Sequence, residues 1–105
     1  MIIQVNTDKN VTGGKELTER VEADVRHAVQ YVAGHITRIE AHLSDENGEG
    51  KSGPNDKRCR LEARLTGRQP ILVSHDAETV DQSVSGAAGK LKRALDSILG
   101  KLGTH

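Results

Sequence analysis

The sequence predicts a single α+β domain in which two helices pack on one face of a sheet. Over short stretches, apolar residues alternate with polar ones, as in strands with one buried face. Over two longer stretches they recur every three or four residues, as in helices with one buried stripe. The 105 residues are the usual length of one domain. Elements that each have one apolar side bury it most simply in a two-layer sandwich, here with the order β-α-β-β-β-α.

The first two predicted elements are a strand and a helix. Residues 1–6 form a short β-rich segment with Ile3 and Val5 on one side. After a turn that ends in two glycines, helical spacing begins and predicts a helix over residues 15–32. Gly34 follows this helix at a position where a left-handed residue is often needed.

Three further strands are predicted in the middle of the chain. Residues 38–43 and 58–65 alternate between apolar and polar, as expected for strands with one buried face. Residues 71–74 follow Pro70, which favours an edge strand because proline cannot donate a hydrogen bond to a neighbour. Between the first two of these strands, residues 45–56 are polar and rich in glycine, and we expect a flexible loop.

The last predicted element is the most regular one. Apolar residues fall three or four apart from Val80 to Leu102. Thr79 is the expected N-cap, with Gln82 at the capping-box position. The whole chain, residues 1–105, is therefore interpreted as one domain, with a ragged tail at 103–105.

The formal net charge is zero, but the charges are unevenly distributed. Residues 57–68 contain five bases and one acid, a net of +4, and residues 90–105 have a net of +3. Residues 38–56 and 76–81 each have a net of −3. The chain is therefore expected to carry separate basic and acidic surfaces.

One face of the predicted final helix is basic. Lys90, Arg93 and Lys101 share this face, which points away from the apolar stripe. Gly86 and Ser97 lie on the same face, and their small size leaves room for a phosphate backbone. Because surfaces usually mix both signs of charge, a helix face without acids indicates an anionic partner.

The composition restricts how RNA could be recognised. Sheet folds that read single strands stack bases on aromatic side chains. The chain has no Trp and no Phe, and its one aromatic residue is Tyr31. Recognition would therefore use the phosphates and 2′-hydroxyls of folded RNA, and binding would weaken steeply with salt.

No catalytic, metal or cofactor site is predicted, and no small-molecule substrate. Residues 48–53 match Gly-x-Gly-x-x-Gly, but a nucleotide loop must lead into a helix and the next element is a strand. The five His and Cys59 have none of the spacings of a zinc site. Asp76 and Glu78 are interpreted as the beginning of the final helix, whose positive end they would favour. A hydrolase that uses Cys59 or His75 has no supporting triad pattern.

A cytoplasmic location is predicted. One cysteine cannot form an intramolecular disulfide, so nothing indicates an oxidising compartment. The sequence has no N-terminal signal segment, and no apolar run approaches the roughly 20 residues that cross a membrane.

Several stretches together resemble a known family. They include Leu-Thr-Glu at 17–19, opening a helix that ends in Gln-Tyr-Val at 30–32, and a hairpin at Gly67. The most specific stretch is Ser-Val-Ser-Gly at 83–86, which leads into Lys-Leu-Lys-Arg-Ala-Leu at 90–95. In these stretches and in element order, the chain is similar to the short form of the bacterial ribosome hibernation factors, the family of hibernation-promoting factor and ribosome-associated inhibitor A.

This resemblance implies a double-stranded-RNA-binding-domain-like fold without catalytic activity. It implies binding to ribosomal RNA of the small ribosomal subunit, across the channel used by messenger and transfer RNA, during stress or in stationary phase. The residues expected to contact RNA are basic positions of the two helices, with Lys90 and Arg93 the principal ones: Arg20, Arg26, Lys90, Lys92, Arg93 and Lys101.

The sequence leaves a second hypothesis open, a protein-interaction or self-association module on the same fold. The zero net charge favours it, as does the stretch 96–100, which dilutes the basic character of the C-terminus. A homo-oligomer would follow from this reading. Salt separates the two hypotheses, because phosphate binding falls steeply with ionic strength and an apolar interface does not.

Overall fold

The structure, a computed structural model, describes residues 1–46 and 56–100. Most of the predicted 45–56 loop and the predicted tail at 103–105 lie outside these residues. The order of elements agrees with the predicted β-α-β-β-β-α. The elements are β1 (Ile2–Thr7), α1 (Gly14–Val29), a 3-10 segment (Gln30–His35), β2 (Ile36–Asp45), β3 (Lys57–Leu65), β4 (Ile71–Ala77) and α2 (Val80–Ile98).

The strands form one mixed sheet in the order β1-β2-β3-β4. β1 pairs with β2 in parallel, and the other two pairs are antiparallel. β4 begins directly after Pro70 and lies at an edge, as predicted. The two helices cover one face of this sheet, so the α+β two-layer sandwich is confirmed.

The core lies between the sheet and the helices, and the sequence periods explain it. Ile39 of β2 and Leu61 of β3 are fully buried, as are Val21 and Val25 of α1 and Leu91 of α2. The residues between them on each strand point to the opposite face of the sheet, which the helices leave open.

Helices α1 and α2 lie beside each other and run in the same direction. An early residue of α1, Arg20, contacts Asp81 in the first turn of α2. Just after α1, Tyr31 contacts Asp96 near the end of α2. No helix among the described residues is long and apolar enough to cross a membrane.

The first helix ends earlier than predicted. α1 stops at Val29, whose backbone leaves the helical region, and a tighter 3-10 segment carries the chain to His35. Val32 is still buried, which is why its spacing fits a helical stripe. Gly34 lies inside the 3-10 segment and is not among the described glycines with positive φ, so the predicted left-handed residue was wrong.

The N-terminus of α2 agrees with the prediction for Thr79 but not for the two acids before it. The Thr79 hydroxyl accepts a hydrogen bond from the Gln82 amide, as an N-cap does. Asp76 belongs to β4 and Glu78 precedes the cap, so neither begins the helix. β4 extends past Ser74 because Asp76 pairs with Arg58 on β3.

The C-terminus of α2 also differs from the prediction. The helix ends at Ile98, which is 41% exposed, and Leu99 is buried in its place. Gly100 then adopts a φ of 70°, the left-handed conformation that commonly terminates a helix. Leu102, the last residue of the predicted stripe, lies outside the described residues.

Candidate nucleic-acid interface

The predicted basic residues of α2 are held in place by the packing of its apolar stripe. Val84, Leu91 and Leu95 are at most 1% exposed and fix the rotation of the helix on the sheet. Residues between them must then face outward or sideways. The basic residues at positions 90, 92 and 93 are all exposed.

Lys90 lies over the outer edge of β4. Its Nζ donates a hydrogen bond of 2.8 Å to the backbone oxygen of Ser74. It forms no ion pair among the described residues, although its charge helps to lower the pKa of Asp76, behind the larger effect of the hydrogen bond from Arg58. Lys90 thus covers an exposed strand edge and still presents a positive charge.

Lys92 lies on the other side of α2, towards α1. Its Nζ is 5.6 Å from the centre of the Tyr31 ring, within the range of a cation–π interaction. The Tyr31 hydroxyl donates to the Asp96 carboxylate. Partial burial and this hydrogen bond raise the pKa of Tyr31 to about 12. The single tyrosine of the chain therefore links the end of α1 to α2 and orients Lys92.

Arg93 points outward, and a second arginine lies near the same end of α2. Arg93 has no carboxylate partner among residues 1–46 and 56–100. The turn between β3 and β4 borders the end of α2, where Gly67, Arg68 and Gln69 line a shallow concavity together with Ile98. Arg68 is also exposed, and it makes no ion pair within the described ranges.

We name Lys90, Lys92, Arg93 and Arg68 the basic region. Within the described part of the chain, none of its four residues forms an ion pair with a carboxylate. Sequence reasoning did not include Arg68 among the contact residues. The net charge of +4 over residues 57–68 was the available signal, but which of these bases would be free was not visible.

The two predicted residues of α1 differ from the basic region because each of them forms an ion pair. Arg20 is 3.0 Å from the carboxylate of Asp81 on α2, and Arg26 is 2.9 Å from that of Glu22. Both arginines lie in the same layer as the basic region, but their charges are balanced. Lys101, the sixth predicted residue, lies outside the described residues.

A groove separates the two helices next to the basic region. It has a volume of about 350 Å³, and small side chains form most of its surface. Their small size lets a partner approach the backbones of both helices. The residues around it are Asp24, Ala28, Ser85, Ala88, Gly89 and Lys92.

Gly86 has a structural reason to be small that the sequence did not reveal. A Cβ at this position would overlap the imidazole ring of His75, which extends from β4 beneath α2. The predicted role of Gly86, leaving space for a phosphate backbone, is therefore replaced by close packing of α2 on β4. Ser97, the other small residue of the predicted face, is exposed.

The buried cysteine of β3 does not have the properties of a catalytic nucleophile. Cys59 and His75 are directly opposite each other on β3 and β4. Cys59 is fully buried beneath the helices, and this burial raises the pKa of its thiol to about 12. A protonated thiol without access to substrate cannot attack one. Among the described residues, no group of three metal-binding side chains comes together.

The chain is similar to solved structures along nearly its whole length. A ribosomal subunit interface protein from Coxiella burnetii matches with a TM-score of 0.73 and 16% identity, covering 96% of this chain and 100% of that one. The N-terminal domain of Thermus thermophilus Protein Y matches with a TM-score of 0.72 and 16% identity, covering 93% of this chain and 99% of that one. At this identity the two matches establish the fold. No curated protein sequence matches the chain.

A family model matches residues 4–102, from the first strand to beyond the end of α2, and it is described as Sigma 54 modulation protein / S30EA ribosomal protein. The match covers the sheet, both helices and all of the basic region, and it confirms the resemblance found in the sequence. The chain belongs to this family of ribosome-associated modulation proteins, which are not enzymes.

Proposed function

We propose that the domain binds the small ribosomal subunit through ribosomal RNA and silences translation by occluding the channel for messenger and transfer RNA. Silencing would occur during stress or in stationary phase. The domain acts by occupying space, and it transforms no substrate. The observation that carries this proposal is that paired and unpaired bases lie in different parts of the fold. Bases elsewhere in the described fold are mostly balanced by carboxylates, whereas the basic region has four that are not.

The position of these charges suits folded RNA. Lys90, Lys92 and Arg93 lie within about one turn of a rigid helix, with Lys90 towards β4 and Lys92 towards α1, so their spacing is fixed before binding. Arg68 extends the surface to the turn between β3 and β4, which adjoins the end of α2. The groove between the helices is lined mostly by small side chains. A phosphate backbone that follows this surface meets positive charge without displacing an internal ion pair.

The test is sedimentation of the purified protein with isolated small subunits, large subunits and whole ribosomes at several salt concentrations. We expect pelleting with the small subunit, and a steep loss as salt rises, because each phosphate contact releases counterions. Inhibition of messenger and transfer RNA binding to the same subunits would test occlusion. Binding that ignores salt would contradict the proposal.

One observation favours the second candidate, self-association. β1 lies at the other edge of the sheet, carries no charged residue, and exposes 59% of Ile2. Uncharged edge strands pair readily with another strand. Sedimentation velocity over a range of concentrations tests this candidate. A dimer that forms in high salt and without RNA would support it.

A further inference from the structure

We propose that the open face of the sheet is a second RNA-contact surface, centred on Arg60, so that the domain is held between two segments of folded RNA. This inference rests on the proposed function and adds a partner segment to it. Arg60 lies on β3 between Cys59 and Leu61, both fully buried under the helices. Because side chains alternate along a strand, Arg60 points to the opposite side from α2.

Most charges on this face neutralise one another. The guanidinium of Arg38 is 2.9 Å from the Glu40 carboxylate, and that of Arg64 is 3.7 Å from Glu62. Arg58 is 2.8 Å from Asp76, which it holds at a pKa below the usual range. These pairs are the expected composition of a solvated sheet face, and they add little net charge to it.

Arg60 is the exception among the arginines of this face. It is exposed, and its side chain has no ion pair or hydrogen bond with any other residue within 1–46 and 56–100. The nearest glutamate along its strand, Glu62, already faces Arg64. The positive charge of Arg60 is therefore available to an external anion.

The neighbours of Arg60 across the sheet add hydrogen-bond donors and no carboxylate. The register places His42 of β2 and Ser74 of β4 directly opposite Arg60, and Asn6 of β1 opposite His42. This row crosses all four strands. The Gln4 amide donates to Oδ1 of Asn6, which leaves the amide nitrogen of Asn6 free to donate elsewhere. Glu40 lies 3.5 Å from His42, but its own charge is balanced by Arg38.

A concavity is formed where this row meets the ends of β1 and β2. Its volume is about 380 Å³, and charged side chains of both signs line it. The carboxylate of Glu46 is 3.3 Å from Arg58, and that of Asp8 accepts a hydrogen bond from the Asn10 amide. The residues around the concavity are Asn6, Thr7, Asp8, His42, Leu43, Ser44, Glu46, Arg58 and Arg60. A guanidinium flanked by an imidazole and an amide suits a phosphodiester with its neighbouring 2′-hydroxyl. Among the described residues the open face carries no Tyr, Trp or Phe, since Tyr31 lies in the helix layer, so the imidazole of His42 is the ring it offers to a base.

A straight RNA segment cannot contact both α2 and Arg60, because the two lie on opposite sides of the domain. Lys90 and Arg93 project from the helix layer, and Arg60 projects from the opposite side of the sheet. A segment bound at α2 would have to pass around the edge of β4 to reach Arg60. Two segments on opposite sides give the simpler arrangement, and they fit a domain that lies within a channel.

The experiment measures binding to small subunits as a function of salt for the full chain and three variants. Arg60→Gln removes the free charge. Arg60→Lys keeps a point charge. The double variant Arg64→Gln/Glu62→Gln is the matched control, because it removes a neutral pair from the same strand and face. The side chains at all three altered positions are at least partly exposed, so thermal melting should confirm that each variant folds.

We expect Arg60→Gln to reduce the slope of log affinity against log salt by about one unit. If Arg60→Gln and the unaltered chain bind equally well when their affinities are extrapolated to about 1 M salt, a difference of one unit in slope makes the variant bind about sixfold more weakly at about 0.15 M salt. Arg60→Lys should retain the slope, and the control pair should leave both slope and affinity unchanged.

Three outcomes would overturn the inference, and they are distinguishable. An unchanged slope in Arg60→Gln, with a reduced slope in Arg93→Gln, would remove the sheet surface and leave the proposed function intact. An effect of Arg60→Gln with intact subunits that disappears with protein-free small-subunit RNA would identify a protein contact. No binding by the unaltered chain would overturn the proposed function, and this inference with it.

Discussion

Helices α1 and α2 lie side by side in one layer, and the sequence predicts RNA contacts from both. The structure shows that the two helices differ in whether their bases are paired with carboxylates. In α1, Arg20 and Arg26 face carboxylates at 3.0 and 2.9 Å. In the second half of α2, Lys90, Lys92 and Arg93 have no such partner among the described residues. Two helices with similar numbers of bases therefore differ in how much positive charge they can offer a partner, and the difference lies in their acidic neighbours.

The largest expected effect comes from reversing charge on α2. The double variant Lys90→Glu/Arg93→Glu should lose about 100-fold in affinity for small subunits at moderate salt, because two contacts become repulsive. Both side chains are exposed, so the fold should remain. Binding assays together with far-UV circular dichroism measure this. Affinity equal to that of the unaltered chain would show that α2 is not the contact helix.

The next effect concerns how α2 is seated on the sheet. Gly86→Ala places a methyl group against the His75 ring and should lower the free energy of unfolding by about 1 to 3 kcal/mol. Gly89→Ala is the matched control in the same helix. Its Cβ would meet only Arg93, at 3.7 Å, so it should gain up to about 1 kcal/mol from helix propensity. Urea denaturation compares the two. Equal stabilities would mean that α2 can shift on β4 at little cost.

A smaller effect is expected from the residue that sequence reasoning missed. Arg68→Gln should weaken binding about sixfold at about 0.15 M salt and lower the salt slope by about one unit. Lys15→Gln is a useful control, since it also removes an exposed base, one that lies near Glu19 on α1. If Arg68→Gln behaved like this control, the basic region would be limited to α2.

The smallest effect should come from α1, and it tests the comparison directly. Arg20→Gln/Arg26→Gln should change affinity by less than about twofold, because these charges are already balanced. Removing their partners should do more. Asp81→Asn/Glu22→Gln frees both arginines and should strengthen binding a few-fold in low salt. A large loss in the arginine variant would mean that RNA displaces the internal carboxylates.

The sequence was sufficient for the order of elements and for most of the core. Alternation identified Ile39, Ala41 and Leu43 as one buried face, and all three are at most 2% exposed. The capping prediction at Thr79 was also confirmed. Element ends were less accurate where tertiary contacts decide them. β4 extends to Ala77 because Asp76 pairs with Arg58, and no local sequence pattern predicts that pair.

The candidate site was only partly predictable. The Glu22–Arg26 pair has the i, i+4 spacing that stabilises helices, so its neutrality could have been found in the sequence. The Arg20–Asp81 pair joins residues 61 positions apart, and the Tyr31–Lys92 contact spans the same distance. No local spacing indicates contacts of that kind.

The sequence by itself determined most of the buried residues, because burial follows the period of apolar side chains along each strand and helix, although Leu99 is buried where the pattern predicted Ile98. It also showed which segments of the chain are rich in bases. Only the tertiary structure decided which of those bases remain free, since an ion pair depends on distances of a few ångströms between side chains from different elements. Arg58 and Arg60 illustrate this on one strand. They lie two residues apart on the same face, yet Asp76 of the neighbouring strand neutralises Arg58, while Ser74 lies opposite Arg60 and leaves its charge to a partner.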